Sequence, residues 1–199
     1  MKEPANRLTI FAAIAVLAGI GLALAQTPAP RRKVLTPEQV QFQADTAQWR
    51  AQRDALRAQA QAALSAEMAR EEAGDCPHAD STRAAEECLA AEIEKTRSNY
   101  AAFAGAIRAM LALPYPAMPG QPPFNGPTGA PPTPNELVAE FDQLEAESQR
   151  YREDAAKAAY NQFKGGTAAP VFALEADQRL LRLHLQEFAF VYGEELSNH

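Results

Sequence analysis

Residues 75–110, DCPHADSTRAAEECLAAEIEKTRSNYAAFAGAIRAM, decide the fold. Leu89, Ile93, Thr96, Tyr100, Phe103, Ile107 and Met110 follow one another at spacings of four, three, four, three, four and three, a continuous stripe along one side of an α-helix. A helix from about Thr82 to Leu111 is ~45 Å long at a rise of 1.5 Å per residue. It needs partners along its apolar stripe, because isolated helices are marginal in water. Other helices must cover it.

Just ahead of the stripe stand Cys76 and Cys88, twelve positions apart. They are the only two cysteines, and in an exported chain a disulfide between them is the first expectation. Closing a loop of this length contributes roughly 3 kcal/mol. A rival reading takes Cys76, His78 and Cys88 as metal ligands, but three ligands without a recognisable fourth fit no standard zinc spacing, so neither a metal nor a cofactor is expected. Ser81 or Thr82 is placed to cap the long helix, and Glu86 and Glu87 in its early turns oppose the macrodipole favourably.

Upstream, Thr36-Pro37-Glu38-Gln39 supplies a capping hydroxyl, a proline at the first helical position and a glutamine that reaches back to the cap. Phe42, Trp49, Leu56 and Ala63 then recur every seven residues, with Ala60, Leu64 and Met68 beside them, before Gly74 ends the helix. The face predicts packing on a bundle; an exposed Trp49 serving as a binding anchor is the alternative.

Downstream, Pro114–Pro134 holds nine of the fifteen prolines and three glycines. Such a stretch is extended, a semi-rigid connector spanning about 112–134 between two helical halves. It ends on Thr133-Pro134-Asn135-Glu136, a second capping box. A third helix carries Leu137, Phe141, Leu144, Ser148, Tyr151, Ala155 and Ala158 on one face, with Lys164 in its last turn and Gly165-Gly166 as the stop. After a turn through Pro170, residues 171–196 read as a fourth helix with Leu181, Leu185, Phe188 and Tyr192 inward, forming an antiparallel hairpin with the third. The predicted fold is all-α, a bundle of about four helices.

The first residues, Met1–Arg7, are charged, and Leu8–Ala25 carries no charge. This reads as a secretory signal cleaved after Ala25, followed by a flexible lead-in over 26–35. Arg31, Arg32 and Lys33 just behind the apolar run oppose export, and an uncleaved membrane anchor is the alternative. Removing Lys2, Arg7 and Glu3 from the 19 basic and 25 acidic residues leaves 17 against 24, a charge of −7. That balance excludes nucleic acid as a partner and favours a basic partner or no charged partner at all. The expected organisation is a signal over 1–25, an N-terminal helix over 36–74 and a helical domain over 75–199.

Cys76, Cys88, Glu92 and Asn99-Tyr100 together resemble the N-terminal domain family of the lysozyme inhibitor LprI, small exported helical proteins in which a cysteine, a second one twelve residues later, an acidic residue and an Asn/Tyr pair recur. Tyr151-Arg152 with Asp154 is similar to that family's aromatic-Arg-Asp segment, and Gly165-Gly166-Thr167 followed by Pro170 to its Gly-Gly-Thr turn. The resemblance covers about 75–196. The family's second cysteine pair falls on Ala156 and Ala176 here, Ser148 stands where a tryptophan is common, and the helix over 36–74 and the proline connector are additions.

No nucleophile elbow, His-Glu-x-x-His motif or phosphate loop is present in the sequence, so no enzyme is predicted. His184, between Leu183 and Leu185, reads as a partly buried, satisfied histidine. The resemblance implies a periplasmic or secreted binding protein that blocks a basic lysozyme-type glycosidase. Glu71, Glu72, Asp75, Asp80, Glu86 and Glu87 gather around the disulfide loop, and Asp80, Glu86 and Glu87 are the candidate partner contacts. The alternative is a periplasmic interaction or envelope-stress module that binds no lysozyme.

Overall fold

The computed structural model describes residues 35–120 and 131–196. The expected signal or anchor over 1–25, the lead-in as far as residue 34 and the middle of the connector, 121–130, lie outside the described residues. Helices α1 (Pro37–Ala73), α2 (Thr82–Leu111), α3 (Pro134–Gln162), α4 (Ala169–Val191) and the single turn α5 (Gly193–Leu196) make an all-α fold, with no strand among the described residues.

The helix starts follow from their caps. Thr36 and Gln39 bond reciprocally, as do Thr133 and Glu136, and each cap precedes a proline at the first helical position. Ser81, not Thr82, caps α2, its Oγ accepting from the Ala84 amide at 3.2 Å. Gly74 closes α1 at φ 78°, a backbone conformation costly for any residue with a Cβ.

The chain runs up, down, up and down. Glu67 meets Thr96 and Arg70 meets Glu92 across antiparallel α1 and α2. Arg152 meets Asp177 and Glu145 meets His184 across antiparallel α3 and α4. The hairpins join through α2 and α4, which form the shared central pair, while α1 and α3 flank them. Every residue of the predicted α2 stripe is buried except Tyr100, which is partly so. Phe103, Ile107 and Met110 pack with Phe141, Leu185, Phe188 and Leu196, most of the large side chains of the core. Phe141 lies 5.1 Å from Phe188 between ring centres.

Four expectations need correction. On α1 the buried positions are Arg57, Ala60, Ala63 and Glu67; Phe42, Trp49 and Leu56 are only partly covered, and Met68 is exposed. The first turns of α1 extend past the end of α2, where the start of the connector is the cover: Trp49 packs edge-on against Tyr115 at 5.1 Å, with Arg53 over its ring at 5.4 Å. Trp49 therefore packs and is not an exposed anchor. On α3 the inward face is rotated from the apolar letters, so Leu144, Tyr151 and Ala158 are exposed while Glu145 and Arg152 turn inward. Glu145 has hydrogen-bond partners on α2 and α4, which compensates its partial burial, and Arg152 faces Asp177 of α4. Helix α3 ends at Gln162, so Lys164 lies beyond it and its charge is not in the last turn. Finally, Pro170 sits inside the first turn of α4, and the fourth helix breaks at Tyr192 before α5.

Candidate functional site

Cys76 and Cys88 form a disulfide, with Cα atoms 5.9 Å apart. It ties the α1–α2 loop to the second turn of α2. Cys76 has φ 49°, an unusual conformation for a residue with a side chain, so the loop's path is set at this residue. The cysteines are consumed by this bond, and His78 is exposed. Among the described residues no cluster of His, Cys, Asp or Glu is placed to hold a metal.

The acidic residues around the loop divide into two groups. Asp80 is exposed and Glu86 partly exposed, and neither makes an ion pair among the described residues; Glu87 is exposed and accepts from Arg83 Nε at 2.8 Å. Glu71 takes Gln186 Nε2 at 3.2 Å. Asp75 points inward instead: its two oxygens accept from Arg182 Nη1 at 2.5 Å and Nη2 at 2.9 Å, and from Gln178 at 3.2 Å. It is therefore withdrawn from the docking surface to which the charge pattern assigned it.

Behind Asp75 lies the element that sequence reading missed. Glu67, 2 % exposed, receives four donors: Thr96 Oγ1 at 2.8 Å and Arg182 Nε at 2.7 Å on one oxygen, Asn99 Nδ2 at 2.9 Å and Arg70 Nη1 at 2.8 Å on the other. Every lone-pair site of the carboxylate is filled. Burial pushes the Glu67 carboxyl up, but the bonds from Arg182, Asn99 and Thr96 and the charge of Arg70 outweigh it and hold it below the usual range. Burial likewise opposes the Arg182 charge, yet Asp75 and Glu67 hold that guanidinium protonated more firmly than an ordinary arginine. A signal was available: Glu67 falls in register with Ala60 and Ala63, and Arg182 stands against Leu181 and Leu185 in the inner stripe of α4.

A second polar cluster lines a pocket of about 270 Å³ between α2, α3 and α4. Glu145 accepts from the Tyr100 hydroxyl and from His184 Nε2 at 3.1 Å, the imidazole proton being assigned to that nitrogen by this contact. His184 is thus partly buried and satisfied. Burial, then the Glu145 hydrogen bond and charge, pushes the Tyr100 hydroxyl far above a normal tyrosine. Arg152 reaches the same pocket, its Nε 3.8 Å from Asp177 and its Nη1 buried without a partner.

The motif residues behind the resemblance thus sit in two interlocked clusters. Asn99 holds Glu67, Tyr100 holds Glu145, and Arg152 faces Asp177, whereas Asp154 is exposed. Comparison of the chain with family models, curated proteins and solved structures finds no match.

Proposed function

We propose that this chain is an exported helical binding protein of the lysozyme-inhibitor type, and not an enzyme. One observation supports the reading best. The charges packed between the helices are spent on one another, Glu67 with Arg182 and Arg70, Asp75 with Arg182, while beside the disulfide Asp80 on the loop and Glu86 in an early turn of α2 make no ion pair among the described residues. A carboxylate held on a rigid loop loses little entropy when it meets a cationic partner, and its field speeds the encounter. A basic glycosidase whose cleft the loop covers is the partner that this chemistry and the LprI resemblance favour. The disulfide supports placement in an oxidising compartment such as the periplasm. Among the described residues no helix is long and apolar enough to cross a membrane.

Titration of the purified protein into a lysozyme lysis assay on bacterial cells tests the reading. Dose-dependent inhibition at low salt is expected; no inhibition and no binding by a fully helical protein would refute it. The second reading, an envelope interaction module that never touches lysozyme, draws on a different surface. The outer side of α4 exposes Leu183, Phe190 and Val191, and an apolar face owes nothing to the charge of the loop.

A further inference from the structure

Helix α4 carries two stripes. Gln178, Leu181, Arg182, Leu185 and Phe188 face inward and are buried. On the other side Ala176, Arg179, Leu183, Glu187 and Phe190 follow at spacings of three, four, four and three, a row of three apolar and two oppositely charged residues along one side of the helix. Within the described bundle Ala176 is partly covered, and the rest of the row is open: Leu183 is 47 % exposed, Phe190 88 % and the neighbouring Val191 61 %. With Leu144 of α3 they line an open apolar groove of about 540 Å³.

The order of residues along the row identifies what fits it. Counting from Leu183, Arg179 lies four positions before and Glu187 four positions after; Ala176 lies seven before and Phe190 seven after. A two-fold axis through Leu183 therefore sets Glu187 of one copy against Arg179 of the other, twice, and lays each Phe190 ring over the small Ala176 of the facing helix. Such an isologous contact is self-complementary in both charge and volume. A parallel pairing would set Glu187 against Glu187 and Phe190 against Phe190, placing like charges together. Arg179 is exposed, lines a pocket with Glu71 and Asp75, and makes no ion pair among the described residues. Glu187 is exposed and only grazes His184 Nδ1 at 3.5 Å, so both ends are available.

We propose that the outer face of α4 is a homodimer interface in which two copies pack antiparallel about Leu183, with reciprocal Glu187–Arg179 pairs and Phe190 seated on the partner copy's helix. The interface does not involve the disulfide loop, so it stands whether or not the chain binds a glycosidase.

Sedimentation equilibrium of the full chain tests this, with circular dichroism confirming the fold of each variant. Wild-type protein is expected at twice the chain mass of 21.5 kDa at high micromolar concentration. Glu187→Arg sets arginine against arginine at both ends and should weaken the dimer at least tenfold; the exchange Arg179→Glu with Glu187→Arg should restore it. Leu183→Cys adds one thiol on the axis and should form a covalent dimer under mild oxidation. A wild-type protein that is monomeric throughout, or a dimer unaffected by Glu187→Arg, overturns the interface. Failure of the charge exchange to restore what Glu187→Arg removed overturns the antiparallel register. A monomer whose Phe190→Ser variant loses affinity for a lysozyme also overturns the proposal, since the face would then belong to a different protein.

Discussion

Glu67 and Arg182, 115 positions apart, meet through Oε1 and Nε at 2.7 Å with both side chains buried. The contact joins α1 to α4, two helices that otherwise touch little. A buried ion pair contributes less net stability than a well-packed apolar pair, because both charges give up their water. Its value here is in register. Only one rotation and one axial position of α1 bring Glu67 to Thr96, Asn99 and Arg182 together, in a helix whose fully buried apolar side chains, Ala60 and Ala63, are small.

Removing the carboxylate should therefore be costly. Glu67→Ala leaves Arg182 and Arg70 without a central partner and should destabilise by about 3–5 kcal/mol in a denaturant melt. Since the folded carboxyl titrates below its ordinary value of 4.5, its contribution is complete above that value and is lost as pH falls through the depressed one. The acid limb of the stability curve should be steeper in wild type than in Glu67→Gln; identical limbs would show that the carboxylate does not carry the effect.

The α2 stripe and the capping boxes at Thr36 and Thr133 were legible because each depends on local spacing alone. Gly74 was legible for the same reason, and the α2 cap was narrowed to Ser81 or Thr82. Glu67 and Arg182 were not, since a charged side chain in an apolar register reads as a break in the stripe until its partners, 29 to 115 positions away, are known. The rotation of α3 had the same origin. Leu144 and Tyr151 look like core letters, yet the positions that face α2 and α4 are Glu145 and Arg152, which have matching groups there. Asp75 was misread for the opposite reason: its neighbours Cys76 and Gly74 mark a surface loop, and only the Arg182 side chain from α4 draws it in.

The disulfide and the ion network should be coupled, because Asp75 precedes Cys76. Replacing both cysteines by serine should cost roughly 3 kcal/mol through the freed loop alone. Combined with Asp75→Asn, the loss should fall short of the sum of the two by 0.5 kcal/mol or more, roughly the coupling expected of residues in one network. A double-mutant cycle on the urea midpoint reads this, and strict additivity would separate the loop from Arg182.

Phe103, fully buried at the centre of α2, should lose about 3–5 kcal/mol on replacement by alanine, through lost transfer energy and the cavity left behind. Lys95, on the outer side of the same helix, pairs only with Glu92 and is exposed. Its replacement by alanine should change stability by less than about 0.5 kcal/mol. Comparable effects at both positions would mean that the α2 stripe is not the core.

Tyr100 and Tyr192 make an alkaline prediction. Both hydroxyls are raised above their ordinary value of 10.0, first by burial and then, for Tyr100, by Glu145, or, for Tyr192, by the charges of Glu140 and Glu145. The folded state keeps protons that the unfolded chain releases, so this stability is present below the ordinary value and is lost as pH rises above it. Ultraviolet titration should show the Tyr100 hydroxyl ionising only as the chain unfolds. Tyr100→Phe should flatten the alkaline limb; an unchanged limb would rule out Tyr100 as its source.

The loop itself supplies the test of partner binding. Among the described residues Asp80 and Glu86 make no ion pair, whereas Glu87 already has Arg83, so the first two should dominate the field the loop presents. Arg83 and Glu87 are both largely exposed, and their pair contributes little to the fold, so reversal of all three acids to lysine should leave the helical signal intact. Exposed charges more than about 8–10 Å apart are largely screened near physiological ionic strength, so binding to a basic lysozyme should weaken as salt rises. The reversal should slow association more than it speeds dissociation, as expected of charges that steer the partner without anchoring it. Asp80→Lys with Glu86→Lys should account for most of that slowing, and Glu87→Lys alone for little. Surface plasmon resonance at two salt concentrations separates the outcomes. Binding that persists unchanged in the triple reversal would keep the activity and remove the loop as its site.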